Sequence, residues 1–109
     1  MQKAQPKDLE LYATPNGRTP FTEWLEALKD IKARAKIRVR LDRLRVGNLG
    51  DCQPVEEGVS ELRIDFGPGY RVYFGQEEAK KVILLWGGDK STQKADIKKA
   101  RAYWADYKS

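Results

Sequence analysis

Residues 61–74, ELRIDFGPGYRVYF, decide the fold. From Val59 to Phe66, apolar Leu62, Ile64 and Phe66 alternate with polar Glu61, Arg63 and Asp65, the pattern of a strand with one buried face. Gly67-Pro68-Gly69 is turn material. Tyr70 to Gly75 alternates again, with Tyr70, Val72 and Phe74 on one side and Arg71 and Tyr73 on the other. The two strands read as a hairpin with Arg63, Asp65, Arg71 and Tyr73 on its polar face. After a second turn over residues 76–80, Lys81–Trp86 (KVILLW) is apolar on both faces, which marks a central, covered strand. Gly87-Gly88-Asp89 reads as its break. Lys90 then stands at a helix start, where a cation opposes the helix dipole and needs some other reason to be present.

Working outward, residues 8–13 (DLELYA) suit a first strand, with Leu9 and Leu11 alternating with polar neighbours. Thr19-Pro20 reads as a helix opening, with a hydroxyl that can cap and proline at the first helical position. Phe21, Trp24, Leu25 and Leu28 then make one apolar stripe that ends near Asp30. A second helix is predicted from Ile31 to Val46, with Ala33, Ile37, Leu41 and Leu44 sharing a face and Gly47 as its stop. Little chain separates the two helices, which predicts a helical hairpin. Residues 48–58 show no period and are expected to be a loop long enough to move. A last helix, capped by Ser91 or Thr92, runs to about Tyr107 on Ile97, Ala100 and Trp104. The predicted order is β-α-α-β-β-β-α. Helices followed by a run of antiparallel strands make an α+β domain with helices on one face of the sheet. The face carrying Arg63, Asp65, Arg71 and Tyr73 is expected to be open. Trp24, Trp86 and Trp104 are expected in the core.

The 109 residues fit one domain over 1–109. No apolar run reaches the length of about 18 residues needed to span a bilayer, and the first residues lack the apolar stretch of a signal peptide. Cys52 is the single cysteine, which excludes an intrachain disulfide and a cysteine-rich metal site. A cytoplasmic protein is expected, without membrane contact. The net charge of +5 is unevenly spread. Residues 31–45 hold seven Lys or Arg against one Asp, and residues 89–109 hold six against three. Two basic helices suggest a polyanionic partner, although solvated helix faces would look the same. Cations and an aromatic hydroxyl gathered on a sheet face suit a phosphodiester.

Three stretches together resemble the RelE/HigB superfamily of toxins from toxin–antitoxin systems, in its phage-derived addiction module killer protein branch. They are residues 61–74, residues 84–93 (LLWGGDKSTQ) and residues 96–104 (DIKKARAYW), with TPFTEWLEAL at 19–28 in support. The resemblance covers nearly the whole chain. It implies a fold similar to small microbial ribonucleases and an endoribonuclease (mRNA interferase) activity on messenger RNA, often on the ribosome. It also implies inhibition by a cognate antitoxin, commonly a small helix-turn-helix DNA-binding protein. The family's catalytic arginine falls on Arg71, a second cation on Arg63, and the basic residue after the last strand on Lys90. The chain has no histidine, which some members use in catalysis, and Asp96 lies near the position where others place a tyrosine.

Cutting RNA at a 2′-hydroxyl needs a base, an acid for the leaving 5′-oxygen and positive charge on the phosphorane. Arg71 suits charge stabilisation, because a guanidinium stays protonated and grips two phosphate oxygens. Arg63 could do likewise or orient the phosphate. Lys90 suits proton transfer. Asp65 is a rival base, and Tyr73 could donate a proton or stack on a nucleobase. Arg34, Lys36, Arg38, Arg40 and Arg45 on the second helix would hold phosphates without sequence choice. No metal or other cofactor is expected. Each residue also has a plainer reading: Arg71 could pair with Asp65 across the hairpin, and Tyr73 could be a packing aromatic. Three functions compete: a metal-independent ribonuclease toxin; a catalytically inactive RNA- or antitoxin-binding module of the same fold; and a metal-dependent nuclease using Glu61 and Asp65.

Overall fold

A computed structural model describes residues 5–109. The order is β1 (Asp8–Leu11), α1 (Pro20–Ala27), α2 (Ile31–Arg45), β2 (Cys52–Glu56), β3 (Val59–Ile64), β4 (Tyr70–Glu77), β5 (Lys81–Asp89) and α3 (Gln93–Lys108). A single 3-10 turn, Lys90–Thr92, joins β5 to α3. The five strands form one sheet in the order β1-β5-β4-β3-β2. β1 runs parallel to β5, and the other pairs are antiparallel. This is the α+β architecture of a small RelE-like fold.

The hairpin β3–β4 forms as its alternation predicts, with Leu62 opposite Val72 and Arg63 opposite Arg71. Leu62, Ile64, Tyr70, Val72 and Phe74 share a core with Phe21 and Leu25 of α1 and Ala33, Ile37, Leu41 and Leu44 of α2. Lys81–Trp86 is a central strand, with Val82, Ile83, Leu84 and Leu85 all buried. α1 packs mainly on β5 and α2 on β3, so the two helices spread across the sheet and do not pack chiefly on each other. Asp30 caps α2 by accepting from the backbone N–H groups of Lys32 and Ala33. Thr19 stands at the N-cap of α1 but its hydroxyl makes no capping bond, so Pro20 alone carries that start.

Three expectations need correction. First, the sheet has helices on both faces. α3 crosses the face opposite α1 and α2 and builds a second core of Tyr12, Val59, Tyr73, Ile83, Leu85, Ala100 and Trp104. Alternation in β3 and β4 identifies a second face but cannot say what covers it; Val59, Ile83 and Leu85 supply the apolar contacts that draw α3 there.

Second, residues 48–58 are not all loop, because β2 pairs with β3 at the sheet edge. Its register shifts between Pro54 and Glu56, which erases the period of two. Proline, lacking an N–H, is tolerated on an edge. Arg40 holds the preceding segment down by donating to the carbonyls of Leu49, Asp51 and Arg63.

Third, Gly87-Gly88 does not break β5, which continues to Asp89. A side chain at Gly87 would collide with the Trp24 ring, and one at Gly88 with the Asp96 carboxylate. The two glycines therefore let α1 and α3 close on the strand from opposite faces.

Candidate nucleic-acid interface

Arg63 and Arg71 stand directly across the β3–β4 ladder. Like charges in that position repel, so the pair requires a counter-ion. Glu61 supplies it from the same face, two residues before Arg63. Its side chain is fully buried. One carboxylate oxygen, Oε1, lies 2.9 Å from Arg63 Nε and 3.6 Å from Arg71 Nε. The other, Oε2, accepts from Gln93 Nε2 on α3 at 2.7 Å. Hydrogen bonding to Glu61 holds the Arg63 guanidinium still further above its ordinary pKa.

Arg71 is further fixed by its own turn. Its Nη1 donates to the carbonyls of Gly69 at 3.2 Å and Tyr70 at 3.3 Å. The Arg71 side chain is 11% exposed and that of Arg63 33%, so Arg63 reaches solvent while Arg71 is largely covered. Among the described residues Arg63 makes no hydrogen bond through Nη1 or Nη2, which leaves the outer edge of its guanidinium free for an anion.

Lys90 arrives from the next strand over. Gly69 has a positive φ of 81°, and the position a Cβ would take there lies 3.5 Å from both Arg71 Nη1 and Lys90 Cβ. The Arg71 guanidinium and the base of the Lys90 side chain are thus neighbours across one glycine, with the exposed Lys90 ammonium beyond. Lys90 opens the 3-10 turn whose N-cap is Asp89, and Asp89 accepts from Ser91 N–H at 2.8 Å. Hydrogen bonds from Ser91 hold the Asp89 carboxyl below its usual range, with Arg71 adding a smaller pull. Thr92 stands at the N-cap of the final helix, as one of the two expected positions, but its hydroxyl makes no capping bond and donates to Asp96 instead. Asp96 is buried and also accepts from Trp86 Nε1 at 2.9 Å.

Several predicted residues fall elsewhere. Tyr73 is on the expected side of β4 but fully buried beneath α3. Its hydroxyl has no hydrogen-bond partner among the described residues. Burial first, and then the Glu61 carboxylate, push its pKa well above the ordinary tyrosine value. It cannot touch RNA or titrate near neutrality, and the packing reading is correct. Asp65 lies past the end of β3, exposed, in a cleft of about 440 Å³ with Lys36, Arg40 and Phe66. It is therefore neither paired with Arg71 nor placed to act as a base at this site. Glu61 and Asp65 do not converge either: one is enclosed by arginines and the other belongs to a different cleft.

The basic helix α2 covers the opposite face of the sheet from Arg63 and Arg71. Arg40 is spent on backbone carbonyls. Arg45 pairs with Asp42 at 2.9 Å on the surface. Lys36 sits 5.6 Å from the Phe66 ring centroid. Arg38 is exposed, and Arg34 is half-buried with its Nε unpartnered among the described residues.

Sequence reasoning missed two members of the cluster. Glu61 entered only as a metal ligand, and Gln93 not at all. The signal for Glu61 was available, because two arginines facing each other across a hairpin need an anion on the same side. Gln93 carried no such signal, since its position depends on how α3 docks.

The sequence matches the family described as Phage derived protein Gp49-like (DUF891) over residues 23–104. The chain belongs to the Gp49-like family. An uncharacterized protein of Haemophilus influenzae strain Rd is 54% identical over 81 residues, which are 74% of this chain and 82% of that relative. The Gp49-like span begins inside α1 and ends inside α3, so it includes Glu61, Arg63, Arg71, Lys90 and Gln93. Among the described residues no helix is long and apolar enough to cross a membrane.

Proposed function

We propose that this Gp49-like protein is the toxin of a toxin–antitoxin pair and acts as a metal-independent endoribonuclease on messenger RNA, on the translating ribosome. The observation that supports the proposal is that Arg63 lies across the ladder from Arg71 and that the base of the Lys90 side chain neighbours the Arg71 guanidinium across Gly69. The phage-derived family and the RelE/HigB resemblance support the toxin reading.

In this reading a scissile phosphate sits over Arg71, with Arg63 gripping a second oxygen from the solvent side. As the 2′-hydroxyl attacks and gives its proton to solvent water, negative charge grows on the equatorial oxygens, and pre-aimed guanidinium donors stabilise it more than they stabilise the bound substrate. Lys90, exposed at the rim, performs proton transfer; as an ammonium it can protonate the leaving 5′-oxygen. The cations of α2 lie on the far face. They contribute only through a partner large enough to wrap the protein, such as ribosomal RNA, and that contribution weakens steeply with salt. A small helix-turn-helix antitoxin, encoded alongside, restrains the activity in the cytoplasm.

The double variant Arg71→Ala, Lys90→Ala tests this. It should fold, as judged by circular dichroism, and fail to arrest growth on induction. Full arrest by the folded double variant would refute the site. The chain has no histidine, and Tyr73, the tyrosine beside Arg71 in β4, is buried; these observations favour a second reading as a binding module without activity. Primer extension on messages from expressing cells separates the two readings, since new discrete 5′ ends mean cutting and their absence means binding alone.

A further inference from the structure

Glu61 is a fully buried carboxylate that the chemistry above does not use. We propose that Glu61, locked from α3 by Gln93, is a positioning residue that presets the Arg63 and Arg71 guanidinium groups to receive a phosphate. The inference rests on the ribonuclease reading of the same site.

Its burial excludes direct contact with RNA, so Glu61 is not a catalytic residue. What it does is dictated by how its two oxygens divide. Oε1 faces the Nε atoms of both arginines, at 2.9 and 3.6 Å. For Arg63 the Nε bond takes the inner edge of the guanidinium and leaves the outer nitrogens for other acceptors. The Arg63 side chain makes its only hydrogen bond among the described residues this way. For Arg71 the carboxylate is an ion-pair neighbour of a buried Nε that has no hydrogen-bond partner among the described residues, while Nη1 is held by the carbonyls of Gly69 and Tyr70. Oε2 is occupied by Gln93 at 2.7 Å, so the carboxylate cannot swing away to serve one arginine alone.

Two features make this more than charge balance. Free arginine side chains carry rotamer entropy, which a ligand must otherwise remove on binding. Fixing them beforehand aims them at the charge that develops in the transition state. Gln93 is also the first residue of α3, directly after the turn that carries Lys90. The Gln93–Glu61 bond therefore ties the Lys90 turn to the two arginines, so that cations from three elements share one reference point.

The test uses Glu61→Gln and Gln93→Ala in the full chain. The first keeps the shape of the side chain and removes its charge; the second leaves the charge and removes its lock at a half-exposed position, where folding is least at risk. The probes are a short messenger RNA on programmed ribosomes for cleavage and a non-cleavable 2′-O-methyl RNA for affinity, with Arg Nε–H signals followed by 15N nuclear magnetic resonance. In the wild type the Arg63 and Arg71 Nε–H protons should exchange slowly with water, and both variants should speed that exchange. Glu61→Gln should bind the 2′-O-methyl RNA at least as tightly as wild type, because a negative charge beside the phosphate is gone. Its single-turnover cleavage should nonetheless fall by about 10- to 100-fold, a split that general loss of structure would not produce. Gln93→Ala should lose several-fold in cleavage with unchanged RNA affinity.

Wild-type cleavage and unchanged Nε–H exchange in Gln93→Ala, or wild-type cleavage in a folded Glu61→Gln, would overturn the proposal. Affinity and rate falling in parallel in Glu61→Gln would overturn it too. If the wild type cuts no RNA, the ribonuclease reading fails. Exchange and affinity then decide the positioning claim alone: slow wild-type exchange that Glu61→Gln accelerates without loss of affinity upholds it, and unaltered exchange refutes it.

Discussion

Replacing Arg71 by lysine keeps the charge and removes the fork, and the structure allows both consequences to be sized. Arg71 is anchored at three points: Nε beside Glu61, and Nη1 on the carbonyls of Gly69 and Tyr70. A lysine ammonium at this site still offers Glu61 a positive neighbour, and Arg63 remains bonded to that carboxylate at 2.9 Å. The buried anion is therefore not orphaned, which would cost about 3–5 kcal/mol. What folding loses is two long hydrogen bonds to carbonyls, a loss of about 1–2 kcal/mol. Catalysis loses more. A lysine cannot hold two phosphate oxygens in the fixed plane of a guanidinium. Removing one pre-aimed donor from a site of this kind lowers the rate by about 10²–10³-fold, or about 3–4 kcal/mol of transition-state stabilisation. Arg71→Lys should thus remain folded at 25 °C and cut at least about 100-fold more slowly. Single-turnover cleavage on programmed ribosomes, read by primer extension, gives the rate, and thermal unfolding by circular dichroism gives the stability. A folded Arg71→Lys that cuts within about threefold of wild type would refute the reasoning, because charge at residue 71 would then suffice without the fork.

Three further outcomes follow from the packing. Gly87→Ala drives a methyl group into the Trp24 ring and should cost about 1–3 kcal/mol, seen as a fall in Tm of about 5–15 °C. An unchanged Tm would mean that α1 is not seated on β5 as described. Asp89 has a folded-state pKa held below its unfolded value, so its contribution is present above about pH 4 and is lost as pH falls through the folded pKa. Asp89→Asn should flatten the loss of stability below about pH 4, measured by urea midpoints across that range; an acid limb identical to wild type contradicts the assignment. Arg40→Ala releases three carbonyls and should speed amide exchange across residues 48–56 while leaving the salt dependence of RNA binding unchanged. A clearly shallower salt slope would return Arg40 to the role of phosphate ligand.

The hairpin β3–β4 and the apolar stripes of α1 and α2 were legible from their periods, and the central strand from its unbroken apolar run. β2 was not, because a register shift beside Pro54 breaks alternation within five residues. The continuation of β5 through Gly87-Gly88 was hidden for a different reason. Two adjacent glycines resemble a turn, and only the approach of Trp24 and Asp96 from opposite faces shows why side chains are excluded there. Alternation along the hairpin placed Arg63 and Arg71 on one face, where the ladder pairs them. Tyr73 was misjudged because its burial depends on α3, and the period of a strand does not reveal which helix covers it. Asp65 was misplaced by extending alternation one residue past the end of β3. The cations of α2 were readable as a group, but the sheet face they occupy is set by the core residues of that helix and not by its charges.

The central claim is that cations, with no metal, direct a 2′-hydroxyl onto its own phosphodiester. Sequencing and end-group analysis of RNA cut by the purified protein on ribosomes tests this directly, with reactions run in the presence of EDTA under conditions that keep the ribosomes assembled. Upstream fragments should end in 2′,3′-cyclic phosphate and downstream fragments should begin with 5′-hydroxyl, both absent with Arg71→Ala, Lys90→Ala. Fragments carrying 5′-phosphate, or cutting abolished by EDTA and restored by a divalent cation, would contradict the claim.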